Sequence, residues 1–245
     1  MTVPLRRAEQ ARALMLELFP NGFEEVDRPG SVELAAYTDP GGEERLMQVF
    51  TGADGHDVEG GWEERWREFH KPVRVGPLWV GPPWEQPPAD ATAVVIDPGR
   101  AFGTGAHPTT QLCLEALIEL ERGSLLDVGC GSGVLSIGAA LLGYGPVAGL
   151  DTDPAAVDAT RENAAANGVA VEARQHDGTA AELPAADVTV ANISLEGVSG
   201  LRPRSGVLVT SGYLVSERPD PPGYAHAARR ELDGWAADVY RRQTG

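Results

Sequence analysis

The chain has 245 residues, a formal net charge of −16 and 42% hydrophobic residues. This length allows one large domain plus a small one, and this composition is typical of globular proteins rather than of disordered or membrane proteins. No apolar run approaches the roughly 20 residues of a membrane helix, and residues 1–12 lack the apolar core of a signal peptide. The two cysteines, Cys113 and Cys130, have no metal-ligand spacing, so no metal site is predicted. We expect a cytoplasmic protein whose acidic surface disfavours direct nucleic-acid binding and attracts a basic protein.

The first part of the chain has the pattern of a small α+β domain. Apolar residues at helical spacing over residues 9–19 predict an amphipathic helix, and short apolar runs over residues 23–27 and 32–38 predict two strands. We therefore predict a separate domain over residues 1–56.

A linker is predicted between this domain and the rest of the chain, over residues 57–90. Trp62, Trp66 and Phe69 share one face of a helix that opens at the preceding glycines, which indicates packing against a core or an interface. Paired prolines then mark an ordered connector.

From residue 91 to residue 245, short apolar strands alternate with helices. This alternation predicts a mainly parallel sheet with helices on both faces. The predicted strands cover residues 93–96, 125–128, 147–150, 169–173, 188–191 and 207–210, and the helices cover 109–120 and 134–142 and follow Asp153-Pro154. Residues 224–242 predict a hairpin, because Asp233-Gly234 favours a turn that matches the strand twist.

A glycine-rich loop and an acidic partner indicate a nucleotide-type ligand. The loop Asp127-Val-Gly-Cys-Gly-Ser-Gly133 follows a strand and opens a helix, and Asp151 ends the next strand, where an aspartate can accept both hydroxyls of a ribose. Val134 replaces the third glycine of a dinucleotide fingerprint, and Asp127 would repel a pyrophosphate. A ligand with an ammonium and a sulfonium but no phosphate, S-adenosylmethionine, fits these charges best. A strand–helix turn without a ligand remains the alternative.

Three segments resemble the methyltransferases of ribosomal protein L11, the PrmA family. They are Asp97-Pro-Gly-Arg-Ala-Phe-Gly-Thr-Gly-Ala-His-Pro-Thr-Thr110, Asp127-Val-Gly-Cys-Gly-Ser-Gly-Val-Leu-Ser-Ile137 and Ala191-Asn-Ile193. The resemblance covers roughly residues 60–215 closely. It implies a Rossmann-like class I methyltransferase sheet with a C-terminal β-hairpin, preceded by a small α+β domain that recognises the substrate protein.

The resemblance also implies which residues bind the cofactor. The expected contacts with S-adenosylmethionine are Phe102, Gly103, Thr104, Thr110, Asp127, Gly129, Gly131, Asp151 and Asn192. Asn192 is the expected catalytic residue, because its carboxamide oxygen can accept a hydrogen bond from the amine without a charge that would favour the ammonium form. Phe102 could instead fill a core, Thr109 and Thr110 could cap a helix, and His107 is expected to organise the loop rather than act as a base.

The implied reaction is methyl transfer to lysine ε-amino groups, to an N-terminal α-amino group, or to both, on ribosomal protein L11. One alternative is a lysine methyltransferase of a different protein. Another is a non-catalytic cofactor-binding module for ribosome assembly, which the intact Asn192 and loop disfavour. The sequence does not indicate an oligomeric state.

The chain departs from the family late in the sheet, where relatives carry long helices. Gly197, Gly200 and Pro203 allow at most a short helix over residues 193–205, and three prolines forbid a regular helix over residues 214–223. Because a parallel sheet normally has both faces covered, we expect the small domain, a second copy of the chain or the substrate to fill the gap.

Overall fold

The computed structural model describes residues 1–4, 7, 11, 14–15, 18–19, 24–28, 30–36, 38, 40–50, 52–55, 71–97, 105–178 and 182–243. The chain divides into two compact units, Met1–Arg65 and Trp66–Gly245. Within the described ranges, no helix is long and apolar enough to cross a membrane.

In its described residues, the first unit contains a three-stranded antiparallel sheet and helical segments. Strands β1 (Thr2–Pro4), β2 (Glu24–Arg28) and β3 (Ser31–Ala35) pair in the order β1-β3-β2. Helix α1 (Pro40–Val49) was not predicted, because its Gly41-Gly42 pair is typical of a turn. In the predicted first helix, four described residues are helical: Ala11, Leu14, Met15 and Leu18. Met15 is buried with Val32 and Leu34 of the sheet.

The second unit begins with a small sheet that the sequence only partly predicted. Strands β4 (Val73–Val75) and β5 (Leu78–Gly81) lie in the stretch predicted as a connector, and both were missed. They form a separate three-stranded sheet with β6 (Thr92–Val95), in which β6 runs parallel to β5.

A seven-stranded sheet forms the centre of the second unit, in the order β12-β13-β11-β10-β7-β8-β9. The strands are β7 (Leu125–Val128), β8 (Val147–Asp151), β9 (Glu172–Gln175), β10 (Val188–Asn192), β11 (Val207–Leu214), β12 (Tyr224–Leu232) and β13 (Trp235–Arg242). Strands β7 to β11 are parallel to one another, and β13 runs antiparallel to both of its neighbours, β11 and β12. From β7 the chain adds β8 and β9 on one side and then β10 and β11 on the other, so the strand order switches between β7 and β10. Doubly wound sheets bind ligands at such a switch point.

One face of this sheet is covered by helices α2 (Pro108–Glu119), α3 (Val134–Leu141) and α4 (Pro154–Ala166). Alternate strand residues such as Leu125, Val190 and Val209 form one core with the apolar side chains of these helices. The predicted start of α4 is confirmed, because Asp153 Oδ1 accepts a hydrogen bond from Ala155 N at 2.8 Å.

On the opposite face, described residues of the same unit pack against β11. The expected cover by the small domain, a second copy of the chain or the substrate stays a prediction. Helix α5 (Leu195–Gly200) has only six residues, and residues 215–223 contain no helix, as predicted. Leu208 of β11 packs against Tyr224 and Tyr240. The Tyr224 hydroxyl donates to the Ser205 carbonyl at 2.7 Å, and the Tyr240 hydroxyl donates to the Pro219 carbonyl at 2.6 Å. These bonds satisfy backbone groups that a helix would have paired internally.

The C-terminal hairpin has the predicted strands and turn. Asp233 and Gly234 have φ values of 48° and 82°, the left-handed conformation that an Asp-Gly turn supplies. A bulge between Ser211 and Tyr213 bends the neighbouring β11. There Gly212 has a φ of 104°, and a Cβ on it would lie 2.1 Å from the Ile193 carbonyl oxygen. The glycine therefore allows β11 to approach the end of β10.

Candidate cofactor site

The carboxyl ends of β7, β8 and β10 meet beside a cavity of about 480 Å³. Five residues predicted for the cofactor site line it together: Thr110, Gly129, Gly131, Asp151 and Asn192. This volume lies in the range of small-molecule sites, roughly 300–1,000 Å³. The edge of the sheet thus gathers residues that are up to 82 positions apart in the chain.

The glycine loop lies close to the cavity because its backbone adopts conformations that favour glycine. Gly129, Gly131 and Gly133 have φ values of 78°, 54° and 85°. A Cβ at Gly129 would approach Ile193 Cγ2 to 2.4 Å, and one at Gly133 would lie 3.1 Å from the Thr160 Cα. The loop therefore turns into α3 at these glycines and leaves its backbone open to a ligand.

Asp151 is held in one orientation by backbone amides. Its Oδ2 accepts from Gly131 N at 2.9 Å, and its Oδ1 accepts from Asp153 N at 3.0 Å. The side chain therefore joins the glycine loop to the start of α4. Each carboxylate oxygen retains acceptor capacity for a further donor.

Thr110 and Asn192 contact each other in the wall of the cavity. The Asn192 amide nitrogen donates to Thr110 Oγ1 at 3.4 Å, which leaves the carboxamide oxygen to accept from a ligand. Thr110 is buried in the first turn of α2, so its hydroxyl is a fixed point against which the amide is oriented.

His107 organises the start of α2, as the sequence indicated. Its Nδ1 accepts from Thr109 N and lies 2.8 Å from Thr109 Oγ1, and partial burial lowers the pKa of the imidazole. Its ring also makes an edge contact with Trp235 at 4.9 Å between centroids. A neutral helix cap accounts for these contacts.

The structure does not bring Asp127 into the cavity. Its Oδ2 accepts from Ser136 N and Oγ, at 3.1 and 2.7 Å, and its Oδ1 is buried without a hydrogen-bond partner. Within β7 it lies on the same face as Leu125, towards the helices, and not at the open edge. Burial raises the pKa of this carboxyl to about 7, against the hydrogen bonds from Ser136, which lower it.

This raised pKa predicts a pH-dependent stability. In the unfolded chain an aspartate loses its proton near pH 4, whereas Asp127 in the folded protein holds it to about pH 7. Between these values the folded state binds more protons, so its stability should fall as the pH rises through this window. The free energy of unfolding can be measured in urea from pH 4 to 8. As the pH rises from 4 to about 7, the wild type should lose stability and Asp127→Asn should not, so the difference in favour of the variant should grow and then level off. Parallel pH profiles would contradict this assignment.

Other residues that line the cavity were not predicted as site residues from the sequence. They include Cys130, His176, Ile193, Ser194 and Gly197. His176 follows β9, and its backbone N–H donates to the Asp151 carbonyl at 2.8 Å. Their position after parallel strands was the available signal, since the carboxyl ends of adjacent strands share one edge.

Phe102, Gly103 and Thr104 lie outside the described residues, although the structure shows how their segment begins. Asn163 of α4 is buried; its Oδ1 accepts from Asp97 N at 3.1 Å, and its Nδ2 donates to the Ser132 carbonyl at 2.9 Å. One asparagine thus joins the start of this segment to the glycine loop.

A larger groove, of about 670 Å³, opens at the amino ends of β7 and β8. Its walls include Pro146, Ala164 and Val171, and none of the predicted site residues. We therefore take the smaller cavity, which contains the predicted site residues, as the candidate cofactor site.

The seven-stranded sheet and the site at its switch point are those of a class I, Rossmann-like methyltransferase. A family model described as "Ribosomal protein L11 methyltransferase (PrmA)" matches residues 32–237. The chain belongs to this family.

Relatives and a solved structure agree with this membership. A protein named ribosomal protein L11 methyltransferase from Pseudomonas putida is 42% identical over 223 residues, which cover 80% of this chain and 75% of that one. A protein of the same name from Pseudomonas aeruginosa is 40% identical over 222 residues, with the same coverage. The crystal structure of a ribosomal protein L11 methylase from Lactobacillus delbrueckii subsp. bulgaricus is similar, with a TM-score of 0.59 and 27% identity. That likeness covers 71% of this chain and 99% of the other.

Proposed function

We propose that the protein transfers methyl groups from S-adenosylmethionine to amino groups of ribosomal protein L11, on lysine side chains, the N-terminus or both. The observation that carries the proposal is the single cavity in which Asp151, the glycine loop and the Thr110–Asn192 pair meet. The names of the relatives support L11 as the substrate. The proposed site of action is the cytoplasm.

The residues of the cavity fit this cofactor by charge and shape. Its described lining contains the aspartates Asp151 and Asp177 but no lysine or arginine, a charge balance that suits a cation and not a phosphate. Gly129 and Gly131 keep the backbone free of side chains where a ligand would approach. When bound, S-adenosylmethionine supplies an electrophilic methyl group attached to a sulfonium.

We assign the parts of the chain different tasks in binding. Asp151, held by two amides, would accept the ribose hydroxyls. Gly129 and Gly131 would contact the amino acid end of the cofactor. Thr110, with Phe102, Gly103 and Thr104, would enclose the end that carries the methyl group.

Asn192 would position the amine. With its amide nitrogen directed to Thr110, its carboxamide oxygen can accept a hydrogen bond from the amine N–H and aim the nitrogen lone pair. The adjacent apolar wall, which includes Ile193 and Val134, disfavours the ammonium form of a lysine and so favours the neutral nucleophile.

The direct test uses purified protein, methyl-labelled S-adenosylmethionine and ribosomal proteins from cells that lack this enzyme. Label should appear in L11, at amino groups that mass spectrometry identifies. Label in a different protein would replace the proposed substrate. Cofactor binding without transfer to any protein would point to a non-catalytic module.

We further propose that residues 1–56 recognise the substrate protein. A fragment that starts near Gly60 is expected to bind S-adenosylhomocysteine with the affinity of the full chain and to methylate L11 poorly, because the site residues all lie beyond the deletion. Calorimetry and the labelling assay measure the two properties separately. A fragment that modifies L11 at the full rate would contradict the assignment.

A further inference from the structure

Two adjacent apolar side chains are exposed at the end of β11. Leu214 is 48% exposed and Val215 is 41% exposed, and the only other large apolar side chains so exposed in the described residues lie in the first unit. Leu214 pairs with Trp235 in the sheet, beside the hairpin turn at Asp233. We call Leu214, Val215, Asp233 and Trp235 the hairpin-tip surface.

This surface is held in place by hydrogen bonds. Val215 N donates to the Gly234 carbonyl at 3.0 Å, and Leu214 N donates to Glu217 Oε2 at 2.8 Å. The Arg229 guanidinium donates to the carbonyls of Val215 and Glu217, at 3.0 and 2.7 Å. The apolar pair is therefore presented by an ordered turn, which limits the entropy lost when a partner binds.

The hairpin-tip surface lies at the same edge of the sheet as the cofactor site, because β11 ends at Leu214 where its parallel neighbour β10 ends at Asn192. Trp235 contacts the ring of His107, which caps the helix whose first turn carries Thr110. On the other side, Leu214 lies three positions beyond Ser211, which pairs with Asn192 in the sheet. Both routes connect the surface to the edge where the amine would react.

Asp233 is the carboxylate of this surface, and it is exposed at the hairpin turn. Glu231 pairs with Ala236 in the sheet and therefore lies on the opposite face from Leu214 and Trp235. The nearby Arg229 directs its charge inwards, to the buried Asp238 at 3.4 Å, and to Glu231. An apolar pair beside an exposed carboxylate complements an apolar side chain that has a cation next to it.

We propose that the hairpin-tip surface docks the segment of the protein substrate that carries the target amine, a basic segment with an apolar side chain next to that amine. The proposal rests on the proposed function. Leu214 and Val215 cover the apolar side chain, and Asp233 faces a neighbouring cation. The contact places the amine-bearing segment at the rim of the cavity.

Two variants of the full chain test this docking with unmethylated ribosomal protein L11 as the probe. The double variant Leu214→Ser/Val215→Ser should raise the KM for L11 about tenfold by removing apolar contact. Asp233→Asn keeps a side chain that tolerates the turn and removes the charge, so the KM should rise about threefold at low salt and depend less on salt. In both, kcat and the affinity for S-adenosylhomocysteine should stay within about twofold, because neither changes the cavity.

The matched controls lie elsewhere in the same unit. Val171→Ser alters a half-buried valine at the opposite edge of the sheet, and Glu162→Gln removes an exposed charge from α4. Both should leave the KM unchanged. An unchanged KM in the two test variants, or an equal rise in the controls, overturns the docking surface. Failure of the wild type to methylate L11 overturns the proposed function itself.

Discussion

Asn192→Ala is expected to lower the turnover of L11 methylation about 100-fold or more while the affinity for S-adenosylhomocysteine stays within about threefold. The alanine cannot accept a hydrogen bond from the amine, so the nucleophile would lose its alignment. Cofactor affinity should be kept because the substitution leaves the backbone at position 192 nearly unchanged. Asn192 ends β10, and the neighbouring strands hold its main chain in place.

Matched variants distinguish a role of Asn192 in orienting the amine from a role in binding the cofactor. Asn192→Asp keeps the shape but adds a charge that favours the ammonium form, so turnover should again fall. Thr110→Val removes the hydroxyl that orients the amide and should have a smaller effect than Asn192→Ala. Near-normal turnover in Asn192→Ala would remove the catalytic assignment, and an equal loss of cofactor affinity would make Asn192 a binding residue.

Asp151→Ala is expected to weaken the binding of S-adenosylmethionine and S-adenosylhomocysteine by about 1–3 kcal/mol. The loss has two sources. The ribose hydroxyls would lose their acceptor, and Gly131 N would lose the carboxylate that ties the glycine loop to the end of β8. Calorimetry on the purified variant measures the change.

Asp153 provides the control for Asp151, since it is an aspartate two positions further on. Asp153→Ser retains a helix-capping oxygen at the start of α4, so cofactor affinity should stay within about twofold. If this substitution weakens binding as much as Asp151→Ala, the effect of Asp151 is a loss of local order. Unchanged affinity in Asp151→Ala would exclude Asp151 from the ribose subsite.

The cofactor loop illustrates what local sequence can predict about a site. Glycines between a strand and a helix require a tight turn, and an acidic residue at the end of the next parallel strand must lie at the same edge. Both conclusions follow from chain connectivity and alternation, and both agree with the positions of Gly129, Gly131 and Asp151. Asp127 differs because the burial of its side chain depends on which face of β7 it occupies and on Ser136 nine residues later.

The packing on β10 and β11 illustrates what local sequence cannot predict. The prolines and glycines after β10 and β11 excluded long helices, and the structure has none there. What replaces them was not predictable, because the replacement uses tyrosines of the hairpin. The Tyr224 and Tyr240 hydroxyls reach carbonyls of residues 19 and 21 positions earlier in the chain, and no short-range pattern encodes such pairs.

The sequence by itself determined the alternation of strands and helices, the hairpin turn, the glycine loop and the family to which the chain belongs. Each of these depends on residues close together in the chain, where steric and hydrogen-bonding preferences act directly. Only the tertiary structure decided that Asn192 meets Thr110, that Asp127 is withdrawn from the cavity, and that β4 and β5 form their own sheet with β6. These features depend on long-range contacts, whose partners are selected by packing and by the burial of polar groups in the folded chain.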